Sequence, residues 1–551
     1  MSDLKTYLLK RIDTTMCGTR CRMRLGDLDG DGRMEIVMVQ SDSGFDERYF
    51  PHSVVCATAF NLEGELLWQI GAPDPEAKEA RTDIPAQIYD IDNDGNNEFL
   101  CVMNGEFCIY DGKSGSLKRK YPLPDKYAHD CIIIADLEGR GYPQNIILKN
   151  RYHQLWALDV NFNVMWTFKG NIGHYPWPYD LDGDGRDELI AGSAVLSGDG
   201  NVLWTVPMEN HADSIWIGDL DQNPETGPSV LIGGVDTSAY SRDGKPLWSF
   251  TDTAELQNIT AGNFCPENKG TEISALYRTD SSSQQGTDKL FLFDYQGKLL
   301  CSETRAACSG STCTAAIHNF DGSGRDHLLV YGRGGLPAAI YDGQMNPVFT
   351  FPFDGHIMWA DLIGDGISDI LIYDDEKIEI YAAQEADLAH AAVPYTRPQP
   401  KRLYNQTDCQ SSEMDPSQYA VSYITGDFTT NEPADWAQKC SAGKTEDADA
   451  VISRADFIVL LVNTLKLRAY ERENFSDVYP RDYFAKAAGV AKKLGIAEGT
   501  LGRFNPHAPI TAEAAVEMIN RAGCECFCMS EGELTKRSAA KIVIELLRTM
   551  E

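Results

Sequence analysis

Gly26-Asp-Leu-Asp-Gly-Asp-Gly-Arg-Met-Glu35-Ile-Val-Met38 is the stretch whose reading decides the fold. It returns as Tyr89-Asp-Ile-Asp-Asn-Asp-Gly-Asn-Asn-Glu98-Phe-Leu-Cys101 and as Tyr179-Asp-Leu-Asp-Gly-Asp-Gly-Arg-Asp-Glu188-Leu-Ile-Ala191. Weaker copies begin at Asp136, Asp219, Asn263, Asn319 and Asp361. First positions are 39 to 63 residues apart, and a period near 40–50 residues is that of a β-propeller with one blade per repeat. Each repeat has the same grammar: apolar run, acidic loop, second run, third run, tight turn, fourth run. In the fifth copy these are Ser214–Gly218, Ser229–Gly233, the turn at Ser241–Gly244, and Lys245–Phe250. Eight loops predict eight blades. The last repeat holds three strands up to Tyr381, so Thr6–Ile12 is expected to supply its fourth and close the ring. Trp68, Trp166, Trp204 and Trp248 recur on fourth strands and read as packing between blades.

In the three full copies carboxylates fall at positions 1, 3, 5 and 9. These are Asp27, Asp29, Asp31 and Glu35; Asp90, Asp92, Asp94 and Glu98; Asp180, Asp182, Asp184 and Glu188. Glycines between them allow the tight turn that brings alternate side chains onto one centre. Oxygen donors at that spacing suit Ca²⁺ in a structural role, tying first strand to second. Asp361, Asp365 and Asp369 form an intermediate case because Ile363 replaces one ligand.

The acidic loops occupy one face, so the start of each first strand and the end of each second strand share the other. Residues ahead of the loops there are Arg20 and Arg22, Asp83, His129 with Asp130, His174 with Tyr175, His211 with Asp213, Asn258, Thr312 and His356. Loops on the same face add Arg48, Tyr49 and His52, then Arg151, Tyr152 and His153, then Arg278 and Arg333. Four of the ten histidines thus occupy equivalent positions in four blades. For one histidine a satisfied structural imidazole is the commoner role; the joint pattern favours a central site. Such a site has acid/base groups that work near neutral pH and guanidinium forks for a carboxylate. That inventory fits β-elimination from a uronic acid, which needs the carboxylate neutralised, the C5 proton abstracted and O4 protonated. Trp177 and Trp216 could stack on sugars, but core packing is the safer reading. Zinc is the rival use of the histidines, but whole blades separate them and no Glu/His pair has helical spacing.

The chain has 551 residues, 43% hydrophobic and 24% charged, as in a globular protein of several domains. Its formal charge of −33 argues against sequence-independent nucleic-acid binding. Residues 1–382 hold 30 basic and 58 acidic side chains, against 19 and 24 in the remainder. Much of that acid lies in the loops, while Arg and His gather opposite, so an acidic sugar stays admissible. No apolar run approaches the length of a membrane span, and the N-terminus lacks the apolar core of a signal peptide. The 15 cysteines are scattered without a framework. Cys524, Cys526 and Cys528 have no partner cluster at zinc spacing. Reduced thiols and a cytoplasmic location are therefore expected, with the cell surface second.

His174-Tyr-Pro-Trp-Pro-Tyr-Asp-Leu-Asp-Gly-Asp-Gly-Arg-Asp-Glu-Leu-Ile-Ala-Gly192 and His211-Ala-Asp-Ser-Ile-Trp-Ile-Gly-Asp-Leu-Asp221 resemble the calcium-loop propellers of polysaccharide lyase family 11, the rhamnogalacturonan lyases. The rhamnose–glucuronate and ulvan lyases are similar in style. The resemblance spans roughly residues 4–382 and implies a mainly β, eight-bladed propeller that cleaves a uronic-acid glycan. It implies His174, His211, Tyr175, Tyr152 and Arg151 as catalytic candidates. Arg20, Arg22, Arg48, His129, His153, Asn258, Arg278, Arg333 and His356 are substrate-binding candidates. Short loops and the missing leader point to an exo-type lyase acting on imported acidic oligosaccharides. Integrin-type propellers carry such loops without catalysis, so a non-catalytic binding propeller is the second reading and a glycoside hydrolase the third. Residues 383–443 read as linker. Residues 444–551 resemble an S-layer homology module, through Asn474-Phe-Ser-Asp-Val-Tyr479, Leu494-Gly-Ile-Ala-Glu-Gly499 and Phe504-Asn-Pro-His-Ala-Pro-Ile-Thr511. Its helices show apolar spacing at Phe457, Leu460, Leu461 and Leu465. Thr511-Ala-Glu513 lacks the basic residue usual there, so the module is expected to serve packing or homo-oligomerisation, without membrane insertion.

Overall fold

A computed structural model describes residues 4–388, less 30–32, 43–52, 78–83, 95, 141–142, 209–210, 224–225, 235, 252–255, 279–287, 305–312, 318–319, 322, 324, 332–336 and 364–367. Beyond them it describes 412–414, 437, 448–465, 467, 474–478, 484–500, 502–524, 532 and 534–550. The chain divides into two compact units.

The first unit holds eight antiparallel four-stranded blades, seven of them built from strands consecutive in sequence, and is the expected eight-bladed propeller. Blade 1 runs Arg22–Gly26, Glu35–Ser41, Val54–Phe60 and Leu66–Gly71. Blade 4 runs Trp177–Tyr179, Glu188–Ala191, Ala194–Leu196 and Val202–Thr205. The last blade is closed by the N-terminus: Tyr7–Asp13 pairs antiparallel with Lys377–Ala382, bringing Tyr7 opposite Ala382. This is the closure expected from the seven-residue run ahead of the first repeat. In the fifth sheet, Ser412–Met414 adds in parallel to the inner strand Ser214–Gly218.

First and second strands are buried throughout in blade 1, whereas fourth strands are largely exposed, as in Leu117–Pro122. Apolar side chains therefore gather between blades. One cluster joins Val37, Val39 and Ala57 of blade 1 to Ile88, Phe99 and Cys101 of blade 2. Another joins Leu25, Ile36 and Met38 to Leu371, Ile378 and Ile380 across the closure.

The recurring tryptophans lock one blade to the next. Trp68 Nε1 donates to Gly112 O at 2.6 Å, Trp166 to Gly198 O at 2.9 Å, and Trp204 to Arg242 O at 3.2 Å. Each acceptor lies in the tight turn of the following blade. That turn must present glycine: at Gly200 φ is +79°, and a Cβ would lie 2.6 Å from the Trp166 ring. Gly200→Ala should therefore cost roughly 1–3 kcal/mol, by overpacking against the indole. Chemical denaturation should show the loss as a lowered midpoint with unchanged slope.

The second unit contains helices Arg454–Thr464, Ala485–Lys493, Ala512–Arg521 and Lys536–Met550. Ser453 and Thr511 cap two of them, accepting from the Asp456 and Ala514 amides. Phe457, Leu460 and Leu461 are buried with Phe484, Phe504, Ile519 and Val543, and Leu465 packs against this core. Among the described residues, no helix is long and apolar enough to cross a membrane.

Candidate active site

Blades 3, 4 and 5 place side chains at one end of the ring. Ile132–Ala135 and Asn145–Lys149 are the first two strands of blade 3. The amides of His129 and Asp130 donate to Lys149 O at 3.2 and 3.0 Å, so the start of one strand is tied to the end of the other. Lys149 and Asp130 are fully buried and form an ion pair. The same ammonium donates to Arg151 O at 3.1 Å, which fixes the backbone of the loop carrying Arg151, Tyr152 and His153. Tyr152 O in turn accepts from Ile172 N at 2.9 Å.

His174 leads into the inner strand of blade 4, and its amide donates to Ala212 O of blade 5 at 2.9 Å. The approach is close because Gly173 has φ +67° and a Cβ there would lie 2.8 Å from Ala212 O. Asp213 is held by its amide on Gly233 O at 2.8 Å. These constraints from three blades converge on four side chains. Tyr152 Oη is 3.1 Å from His174 Nε2. The Tyr152 ring stacks on His211 at 4.4 Å, and the two imidazoles are 5.0 Å apart. Asp213 Oδ1 lies 3.3 Å from His211 Nε2 and 3.7 Å from His174 Nε2. The Arg151 guanidinium stands 5.2 Å from the centre of the Tyr152 ring.

Exposure separates the roles. His174 and Asp213 are 1% exposed, whereas the His211 side chain keeps 20%. Burial, with the charges of Arg151, His211 and Lys149, pushes His174 well below its ordinary 6.5, so its imidazole is neutral at neutral pH. Burial also raises the Tyr152 phenol, which stays protonated there although Arg151 opposes the shift. The His174 shift has a stability consequence. Between its two pKa values the folded chain binds fewer protons here than the unfolded chain, so stability falls as pH drops below about 6.5. The slope is at most about 1.4 kcal/mol per pH unit from this group. Melting temperatures across pH 5 to 7.5 should show the fall, and His174→Gln should flatten it in part; His327, also lowered by burial, keeps a share.

Of the remaining candidates, His153 is exposed with its ring 6.2 Å from Tyr152. His129 is buried beside Tyr127. Tyr175 is buried with its ring 5.9 Å from Trp177, so Tyr152 is the tyrosine whose hydroxyl meets His174. Trp177 and Trp216 are themselves buried, as core packing requires. Arg22 and His356 make a separate pair on the first and last blades, with Nη1 and Nε2 3.2 Å apart. Arg20 is exposed, and its amide donates to Asp375. Asn258 is buried and its Oδ1 accepts from Thr314 N of the next blade. Arg48, Arg333 and Asp31 lie outside the described residues, as does the side chain of Arg278. The sequence alone does not single out Lys149, because a lysine ending an apolar run reads as solvent-facing; it points to Asp130 and Asp213 only as neighbours of histidines.

Two kinds of centre could hold a cation. His174, His211 and Asp213 offer ligand atoms all within 4.8 Å of one another, although whole blades separate them in sequence. The acidic loops offer Asp27, Asp29 and Glu35; Asp90, Asp92 and Glu98; Asp180, Asp182 and Glu188. The loops are shaped by their own backbone: Leu28, Ile91 and Leu181 amides donate to Glu35, Glu98 and Glu188 respectively. In the fourth blade, burial and the neighbouring aspartates Asp182, Asp180 and Asp184 raise the Glu188 carboxyl to about 7. Such an all-oxygen cluster fits a hard divalent ion.

Residues 140–312 match the family model described as rhamnogalacturonan lyase family 11, C-terminal domain. The matched segment contains Lys149, Arg151, Tyr152, His174, His211 and Asp213. The chain is 24% identical over 320 residues to the rhamnogalacturonan endolyase YesW of Bacillus subtilis, covering 46% of this chain and 51% of that protein. It is 23% identical over 314 residues to the rhamnogalacturonan exolyase YesX of the same organism, covering 45% and 51%. The chain thus spans about half the length of the curated relatives it matches. The crystal structure of exotype rhamnogalacturonan lyase YesX superposes with a TM-score of 0.53 at 18% identity, over 75% of this chain and 80% of that one, which shows the shared fold.

Proposed function

We propose that the protein is a polysaccharide lyase that cleaves a rhamnose-linked, uronic-acid-containing glycan by β-elimination. The observation that carries this reading is the Tyr152–His174–His211–Asp213 cluster beside Arg151, inside the segment that matches the family model. Arg151 binds the uronate carboxylate and stabilises the charge that builds on it when C5 loses its proton. His211, partly exposed and oriented by Asp213, takes the C5 proton. Tyr152 gives its phenolic proton to O4 as the C4–O4 bond breaks and the C4–C5 double bond forms. His174, with Nε2 protonated, donates to the phenolate oxygen so produced. Of the other candidates, the exposed His153 beside Tyr152 is assigned to substrate contact at this centre. The test is incubation with rhamnogalacturonan oligosaccharides, read by ultraviolet absorbance of the unsaturated uronate.

A second reading rests on the ligand-atom cluster. His174, His211 and Asp213 together would hold a divalent ion, which would supply positive charge against the carboxylate. Loss of turnover on chelation, with the fold retained, favours it over the acid/base assignment.

Three further parts of the proposal are separate. Calcium at the first and fourth acidic loops is structural. Substrates are acidic oligosaccharides attacked from the end of the chain, in the cytoplasm; the ten described cysteines, all free thiols, suit a reducing compartment. The helical unit is an S-layer-like module used for packing or self-association. A wholly extracellular native protein that binds sugar without turnover would support the binding-propeller reading instead.

A further inference from the structure

Every fourth strand of the propeller carries a bulge at the same place. In blade 1, Phe60 faces Leu66 and Ala59 faces Trp68, so Leu67 is the extra residue. The same register shift singles out Met165 in blade 3 and Leu203 in blade 4. The extra residues of blades 5 to 8 are aliphatic too. Blade 2 departs from the series. Tyr110 faces Leu117 and Ile109 faces Arg119, so the extra residue is Lys118, and Arg119 stands where blades 1, 3, 4 and 5 place tryptophan.

The bulge aims Lys118 into the acidic loop of its own blade. Its Nζ is 2.6 Å from Glu98 Oε1, 3.1 Å from Asp92 Oδ2 and 3.5 Å from Asp94 Oδ2. Arg119 adds a second positive charge 3.9 Å from Asp92. Three of the four carboxylates that the spacing assigns to a metal are therefore engaged by one ammonium, whose side chain is 25% exposed. An ammonium with three donors satisfies such a cluster without the dehydration a divalent ion requires. The bulge residues beside the first and fourth loops, Leu67 and Leu203, bring no charge. The donor set of the second loop thus does not fit calcium in the way the other two do.

We infer that Lys118 is the resident cation of the second acidic loop, which closes around an ammonium where the first and fourth loops take calcium. The inference rests on the calcium reading of those two loops, and two measurements keep the claims apart. The first uses chelated protein. Lys118→Leu should lower the melting temperature, and Glu98→Gln added to it should restore much of the loss, because the buried carboxylate no longer lacks its counter-charge. Additive losses overturn the inference. The second counts calcium bound to the full chain after equilibrium dialysis. Asp92→Asn should leave the wild-type count unchanged, and Lys118→Leu should raise it by one ion per chain. A calcium ion lost on Asp92→Asn, or an unchanged count in Lys118→Leu, overturns it. A wild-type chain that binds no calcium defeats the calcium reading of the first and fourth loops, while the melting experiment alone then decides the role of Lys118.

Discussion

Tyr152→Phe should lower kcat on rhamnogalacturonan oligosaccharides by about 10²- to 10⁴-fold, the usual scale for removing a general acid or base. The substitution keeps the ring stacked 4.4 Å from His211 and removes only the hydroxyl that meets His174 at 3.1 Å. Substrate binding through Arg151 should survive, so KM should change far less than kcat. His211→Asn should give a loss of similar size. Asp213→Asn, which leaves both imidazoles in place but removes the carboxylate that fixes their tautomer, should give a loss of comparable size. Initial rates with folded protein, verified by circular dichroism, are the measurement. A Tyr152→Phe enzyme within threefold of wild type would remove tyrosine from the mechanism.

Lys149→Met should destabilise the propeller by about 3–5 kcal/mol, the scale for stripping one partner from a buried ion pair. Lys149 and Asp130 are both 0% exposed, so solvent cannot reach in to solvate the orphaned carboxylate. The methionine replaces the apolar stem but not the ammonium, which also holds Arg151 O at 3.1 Å. Activity should therefore fall through misplacement of the Arg151–Tyr152 loop as well as through lost stability. Asp130→Asn added to Lys149→Met removes the uncompensated charge and should recover a large part of the stability while activity stays low. That split separates a positioning role from a merely structural one. Urea denaturation of the single and double variants reads the first effect, and kcat of the folded fraction reads the second.

Much of the propeller was legible because its physics repeats. The acidic loop, the second-strand carboxylate that accepts the loop amide, and the turn glycine under the preceding tryptophan recur at a common period. The N-terminal strand was legible because one blade was a strand short. The active site was legible in part. The equivalent positions of His174 and His211 were visible, but their 5.0 Å approach depends on Gly173 in a left-handed conformation against Ala212. No spacing rule encodes that contact between blades. Lys149 and Lys118 escaped for a related reason. Each is a lysine at the end or bulge of a strand, where solvent exposure is the ordinary outcome. Only the tertiary register shows one buried against Asp130 and the other seated in an acidic loop.

The most direct test of elimination is the mass of the products released from rhamnogalacturonan oligosaccharides of defined length. Elimination predicts that the masses of the two fragments add up to that of the substrate, and that the new non-reducing end absorbs in the ultraviolet as an unsaturated uronate. Fragments that together gain about 18 Da, the mass of one water, without new absorbance would contradict the account and assign the same residues to hydrolysis.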